Sequence, residues 1–300
     1  MPKNYVLVNK TSYGYIKNVA DDIFRHIRDN SGCESEFVLC NQIGEVSLDA
    51  NSNVFIIGDL FSRFLRYPSC TYIFLNFSVL YPVGSIFDCW WPAFRNQTRK
   101  RKTLKNKLSC FDYILDYWPA QTKIMNRKLP LRVDSFPVSL SPFALGRITP
   151  LKAREFDVCF VGSMSPRRSR LATKLRGMGI KLSPAGGMAI EDVALRSRIV
   201  LNVHAHRSNH LEVPRILAGF ATGTPVLTEG CAGIEDYLSA GTYRSAAYED
   251  MPAATEELLG NPRKMDELAT NGYSWLADVH LARCEQQWSL ILNKIKVQFG

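Results

Sequence analysis

No two cysteines in this 300-residue sequence are spaced as CxxC. The eight stand scattered at positions 33, 40, 70, 89, 110, 159, 231 and 284, without a histidine partner pattern. That usage argues against a zinc site and a disulfide framework, and predicts reduced, mostly buried thiols in a cytosolic chain. The opening MPKNYVLVNKTSYGY lacks a long apolar stretch and a small-residue cleavage site, so no signal peptide is expected. No membrane span is expected either. The most aromatic stretch, 72–94, is interrupted by Asn76, Pro82, Asp88 and Pro92. There is no internal repeat and no low-complexity tract. Acidic residues are missing from RNQTRKRKTLKNK (95–107), which carries seven basic ones, so the positive field of this +9 chain is local.

What is present is a core-forming composition, 46% apolar and 22% charged, long enough for two domains. Short apolar runs at 5–9, 36–41, 53–59, 70–77 and 111–117 read as strands, and 15–30 has helical periodicity. Such runs separated by helices favour a parallel sheet buried on both faces. The proline-rich, aperiodic 130–153 reads as a linker. A second α/β pattern follows, with strands at 156–163, 180–187, 199–206 and 225–229. Helices are expected at 166–179, 189–198 and 212–222, then over 248–280 with an Asn-Pro break, and at 283–299. The architecture is two doubly wound α/β halves in series, a class whose ligands bind at the carboxyl ends of the strands.

Three stretches could carry chemistry. In VGSMSPRRSR a strand ends at Gly162-Ser163 and a helix opens with Arg167 and Arg168. Free N–H groups at that helix start favour a phosphate, and arginines oppose the helix dipole there unless an anion is present. The plainer alternative is a turn glycine beside solvated arginines. His204 ends a β-branched strand and is either a cleft residue or a histidine satisfied by a backbone carbonyl. Glu212 and Arg215 share one helix face at i, i+3, either as an ion pair or as ligand contacts, Glu212 for sugar hydroxyls and Arg215 for a phosphate.

Taken in order, DVCFVGSMSPRRSRL, RSRIVLNVHAH and LEVPRILAGFATGTPVLTE resemble the nucleotide-binding half of GT-B-fold glycosyltransferases, nearest to the spore-maturation-like or family-1-like group. The resemblance covers about residues 155–280. It implies a GT-B-like α/β fold with two Rossmann-type doubly wound domains facing across a cleft. The expected domains are an acceptor-side domain at 1–148, a nucleotide-sugar-binding domain at 149–282, and a last helix at 283–300 packing back on the first.

The resemblance makes Gly162, Ser163, Arg167 and Arg168 diphosphate candidates and Glu212, Arg215 and Thr224 donor contacts, with His204 at the cleft edge. The implied activity is hexosyl transfer from a nucleotide sugar, UDP-sugar by default, to a hydroxyl of a glycan or lipid-linked acceptor. A nucleotide sugar is then the expected partner and co-substrate, with no cofactor, no metal and no stable protein partner. The chain has no Asp-x-Asp triplet, which argues against the metal-dependent alternative fold. Relatives usually carry a glutamate where Ala218 stands, the carboxylate that holds the ribose.

In the first half, Gly14 after the first strand is a candidate for close substrate approach. Glu212 and Asp59 are the catalytic candidates. Asp59 is either a base for the acceptor hydroxyl or a helix N-cap, and Asp116 also ends a strand. Trp90-Trp91-Pro92 beside the basic segment Arg95–Lys107 suits anionic lipid at the inner membrane surface, a nucleic-acid groove, or a solvated loop. Two other functions stay open: transfer onto a modified DNA base, and a degenerate module that binds nucleotide or nucleic acid without catalysis.

Overall fold

The computed structural model describes residues 3–58, 65–77, 108–140, 150–160, 162, 164–184, 189–205 and 210–299. Two compact units emerge. The first contains the described residues up to 139 together with those from Arg283 onward, and the second contains 150–282.

The first unit is built on six parallel strands in the order β2-β1-β3-β4-β5-β6. They are β1 (Asn4–Asn9), β2 (Ser35–Cys40), β3 (Asn53–Ile57), β4 (Thr71–Asn76), β5 (Tyr113–Asp116) and β6 (Val133–Ser135). Leu7, Ile56, Phe74, Ile114 and Val133 meet in one buried cluster, as expected of strands covered on both faces. Strand β6 falls inside the stretch read as a linker. It is only three residues long, too short to show a period, and its partner Ile114 sets its register.

Helix α1 (Lys10–Asn30) starts five residues earlier than its apolar period suggests. The Asn9 side chain caps it by accepting from the Thr11 N–H at 2.9 Å. Gly14 therefore lies in the second turn of a helix, exposed, with nothing within 4 Å of an added Cβ. No described residue crowds the position, so nothing within the fold itself requires a glycine there.

Helix α2 (Pro119–Lys128) follows β5. Asp116 is wholly buried and accepts from Asn76 Nδ2 at 2.6 Å, Gln121 Nε2 at 2.7 Å and the Trp118 N–H at 2.8 Å. Burial lifts its carboxyl to about 6 against those three donors. These bonds fix the β5–α2 turn, so Asp116 serves structure.

The second unit has four parallel strands in the order β10-β9-β8-β7. They are β7 (Phe156–Cys159), β8 (Ser197–Asn202), β9 (Val226–Glu229) and β10 (Arg244–Ala246). Of the expected strand at 180–187, the described residues 180–184 hold one bridge, between Leu182 and Val158. Helices α3 (Pro166–Gly177), α4 (Ile190–Leu195), α5 (Val213–Ala221) and α6 (Ile234–Tyr237) connect the strands. Gly219 lets α5 lie close on the sheet, since a Cβ there would sit 2.4 Å from Val226 Cγ2.

Helices α7 (Met251–Leu259) and α8 (Pro262–Ser274) break at Asn261, whose side chain caps α8 through the Lys264 N–H at 3.0 Å. A π-helical turn (Trp275–His280) leads into α9 (Leu281–Phe299). From Arg283 onward α9 packs in the first unit. Trp288 is fully buried and stacks on His26 at 5.7 Å, Glu285 pairs with Arg25 at 2.7 Å, and Ser139 Oγ lies 2.8 Å from His26 Nε2. No helix among the described residues is long and apolar enough to cross a membrane.

Candidate functional site

The carboxyl edge of the second sheet gathers most of the charged candidates. Strand β8 ends at Asn202, and the carbonyls of Val203 and His204 just beyond it have no further strand to accept from. Three arginines take them. Arg168 donates to the Val203 carbonyl through Nε at 2.9 Å and Nη2 at 2.7 Å, and Arg215 Nη1 reaches the same oxygen at 3.3 Å. Arg167 Nη1 donates to the His204 carbonyl at 3.1 Å.

Arg167 and Arg168 open α3, where Ser165 caps the helix by accepting from the Arg168 N–H at 3.3 Å and Pro166 sets the first turn. Cations oppose the helix dipole there, so each needs an anion. Glu229, the last residue of β9, accepts from Arg167 at 2.7 and 2.5 Å, a two-point pairing of carboxylate and guanidinium. Glu212, at the N-cap of α5, lies 3.2 Å from Arg168 Nη2 and pairs with Arg215 on its own helix. Arg215 also donates to Asn202 Oδ1 at 2.9 Å.

Gly162 completes this edge with φ of +117°, and a Cβ there would lie 2.9 Å from Arg168 Nη1. Only glycine gives both the backbone angle and the room. Three guanidiniums, two carboxylates and a neutral imidazole leave the cluster at about +1, an electrostatic preference for an anion.

Burial pulls the Arg168 guanidinium down to about 10, still charged at neutral pH. Burial also pushes the His204 imidazole down to about 4, with Arg167 and Arg215 acting in the same direction and Glu229 opposing. This shift has a measurable consequence. An unfolded histidine takes up a proton near 6.5, whereas the folded ring stays neutral until about 4. Between those values the unfolded chain binds more protons, so stability falls as the pH drops through that window. Denaturation at pH 7 and pH 4.5 should show a loss on the order of 2 kcal/mol from this group. The His204→Phe variant should lack that component; an identical acid sensitivity in the variant would place it elsewhere.

Of the sequence candidates, Gly162, Arg167, Arg168, His204, Glu212 and Arg215 come together here. Thr224 does not. It precedes β9, at the amino end of the strand, fully buried, and is bonded to the Ala194 carbonyl at 3.1 Å, to Thr222 Oγ1 at 2.8 Å and to Arg154. A GTPV turn leads into a parallel strand, so its threonine faces the edge opposite to the site. Asp59, Ser163 and the segment Arg95–Lys107 lie outside the described residues, as do Trp90, Trp91 and His206.

Sequence reasoning missed Glu229, Asn202 and Tyr248. The first two were findable by the rule that singled out His204: each is a polar residue closing an apolar strand of a parallel sheet. Tyr248, 3.7 Å from the Arg167 guanidinium, comes from a loop with no local signature. Ala218 is fully buried within α5. Among the described residues no group of three or more His, Cys, Asp or Glu could hold a metal ion.

No family model and no curated protein matches the chain. Solved structures do. The sucrose-phosphate synthase of Thermosynechococcus elongatus aligns with a TM-score of 0.64 at 10% identity, over 99% of this chain and 100% of that one. Anabaena HepE in complex with UDP-glucose aligns with a TM-score of 0.63 at 8% identity, over 98% and 100%. TarM aligns with a TM-score of 0.54 at 9% identity over 81% of this chain, which spans only 55% of TarM's length. These neighbours are GT-B glycosyltransferases. With two parallel α/β units and this likeness along nearly its whole length, the chain has the GT-B fold.

Proposed function

We propose that the protein is a glycosyltransferase that takes a sugar from a nucleotide-activated donor held at the carboxyl edge of the second sheet. One observation carries the reading: three arginines and a helix N-terminus converge where open parallel sheets bind ligands. In the transfer, the acceptor hydroxyl oxygen bonds to the sugar's anomeric carbon and gives up its proton to a base, for which Asp59 is the candidate, or to the departing diphosphate. The bond from that carbon to the diphosphate breaks. Negative charge grows on the leaving diphosphate, and Arg168 and Arg215 are placed to meet it without a metal. Glu212 sits between those two guanidiniums, where it can accept from sugar hydroxyls while holding both side chains in place.

UDP is the first nucleotide to test, because HepE was solved with UDP-glucose and this chain shares its fold. A hydroxyl of a glycan or lipid-linked molecule is the proposed acceptor. The basic run from Arg95 to Lys107 supports an anionic acceptor surface, a cytoplasmic membrane face or DNA carrying a modified base. A second reading, nucleotide binding without transfer, is favoured by Ala218, which leaves no carboxylate at the usual ribose position.

A thermal-shift panel of UDP, GDP and their sugars tests the proposal. A ligand at about 100 times its dissociation constant should stabilise the fold by roughly 2.7 kcal/mol. The Arg215→Ala variant should weaken that ligand by about tenfold or more. Slow release of free sugar from the bound donor would separate an enzyme from a binding module. A flat panel would remove the donor-binding reading altogether.

A further inference from the structure

His204 is held more firmly than its surroundings require. Its N–H donates to Glu229 Oε2 at 3.1 Å, and its carbonyl accepts from Arg167 Nη1 at 3.1 Å. The Arg167–Glu229 pair thus grips both ends of one residue. Tyr248 closes the frame: its ring lies 3.7 Å from the Arg167 guanidinium, and its hydroxyl donates to the Arg167 carbonyl at 2.7 Å. Four contacts from α3, β9 and the loop before α7 therefore fix where the imidazole stands.

The imidazole itself gains nothing from that frame. It is 1% exposed, yet neither Nδ1 nor Nε2 makes a close, well-aligned hydrogen bond, and the His210 backbone is the smallest of the influences on its charge. The nearest carboxylate oxygen, Glu229 Oε2, is 3.5 Å from Nδ1 and makes no hydrogen bond with it. Leaving buried ring nitrogens so poorly paired is destabilising, and an apolar ring of similar size would avoid the cost. A fold that spends an ion pair and a tyrosine on aiming such a group is using it for something outside itself.

Resting on the donor-binding reading above, we propose that the His204 ring contacts a sugar hydroxyl of the bound nucleotide sugar, and that Arg167, Glu229 and Tyr248 are positioning residues for it. The chemistry selects the ligand group. A neutral imidazole has one donor and one acceptor nitrogen on diverging sides of the ring, and a hydroxyl, donor and acceptor at once, can pair with whichever of them faces the ligand. A phosphate only accepts and could pair with the donor nitrogen alone. Burial keeps the ring uncharged at neutral pH, so it adds no charge to the diphosphate site formed by the arginines. The hydroxyl belongs either to the transferred sugar or to the ribose, and the experiment separates the two.

Calorimetric titration of wild type, His204→Gln and His204→Phe with UDP, UDP-glucose and 2′-deoxy-UDP, and with the guanosine counterparts, makes the test. If the ring reads the transferred sugar, His204→Phe weakens UDP-glucose by about tenfold and leaves UDP within about twofold. If it reads the ribose, UDP and UDP-glucose weaken together, and the variant no longer distinguishes UDP from 2′-deoxy-UDP. The glutamine variant, which keeps a donor and an acceptor, should recover part of either loss.

Glu229→Gln should produce the same ligand-selective loss in wild type and none in the His204→Phe background, a coupling that general destabilisation would not give. The melting temperature of ligand-free His204→Phe should match or exceed that of wild type, which excludes misfolding. If wild type binds these ligands and His204→Phe binds all of them equally well, the proposal is overturned while the donor site stands. If wild type binds none of them, both readings fail.

Discussion

Arg168→Ala is expected to lose detectable nucleotide binding and to destabilise the protein by about 3–5 kcal/mol. The side chain is 2% exposed and donates twice to the Val203 carbonyl while pairing with Glu212. Among the described residues, truncation leaves that carbonyl with the longer bond from Arg215, and leaves Glu212 with one guanidinium in place of two. Breaking a buried charge network from one side costs more than the network contributes as a whole, because the remaining charges lose their solvation substitute. The binding loss has a separate origin. Arg168 lies where the β7 turn at Gly162 meets the start of α3, so its removal takes the fixed positive charge from the place an entering diphosphate would occupy. Arg168→Lys keeps the charge and drops the planar two-nitrogen grip, so it should retain much of the stability and little of the affinity. Urea denaturation and calorimetry on the same preparations read both quantities. An alanine variant that unfolds at the wild-type midpoint and binds nucleotide normally would end this assignment.

Arg154→Met is the second large effect, about 3 kcal/mol of stability with little direct effect on the donor site. Arg154 sits at the opposite edge of the sheet, 7% exposed. Nη1 donates to the Ala194 carbonyl at 3.1 Å and the Ser197 carbonyl at 2.9 Å, and also to Thr224 Oγ1. Nη2 donates to the Thr222 carbonyl at 3.0 Å and the Gly223 carbonyl at 3.2 Å. One guanidinium therefore joins the ends of α4 and α5 to the starts of β8 and β9. Burial pulls it down to about 10, so it remains charged under ordinary conditions. Methionine fills comparable space and returns none of the donors, so the loss measures the orphaned carbonyls instead of a cavity. A Thr224→Val variant should cost less, about 1 kcal/mol, because the guanidinium keeps its four carbonyl partners. Equal stability of Arg154→Met and wild type in chemical denaturation would contradict this account.

The fold was legible wherever strand and helix periods ran long enough to show themselves. Apolar runs such as NVFII and SRIVLN gave parallel strands buried on both faces, and proline and glycine bracketed α3 as the capping rules anticipate. The misses have physical reasons. Strand β6 is too short to have a pattern of its own, and the described part of the 180–187 segment, 180–184, meets β7 over too few residues to form a strand. The apolar period places the start of α1 at 15, while the helix itself is set by the Asn9 cap and opens at Lys10.

In the candidate site, strand-end logic found His204, and helix-start logic found Arg167, Arg168, Glu212 and Arg215. Thr224 failed by the same logic, since it stands before its strand instead of after it. What no single segment could reveal was pairing. Arg167 answers Glu229, 62 residues away, and Arg168 answers Glu212, 44 residues away. Part of the charge that reads as free for a phosphate is therefore already partnered in the fold.

The return of α9 to the first unit sets a timing problem for the ribosome. The six strands of that unit leave the exit tunnel early, but Glu285 and Trp288, which cover His26 and Arg25, are made last. Elongation at about 5–20 residues per second leaves this face waiting on the order of ten seconds while the whole second unit is synthesised. During that interval His26, Phe136 and Val138 stand uncovered by the helix that buries them in the finished protein. The first unit is thus the earlier to be translated and the later to be completed. Nascent chains stalled before Arg283 should engage chaperones through this face, and release should coincide with emergence of the last helix.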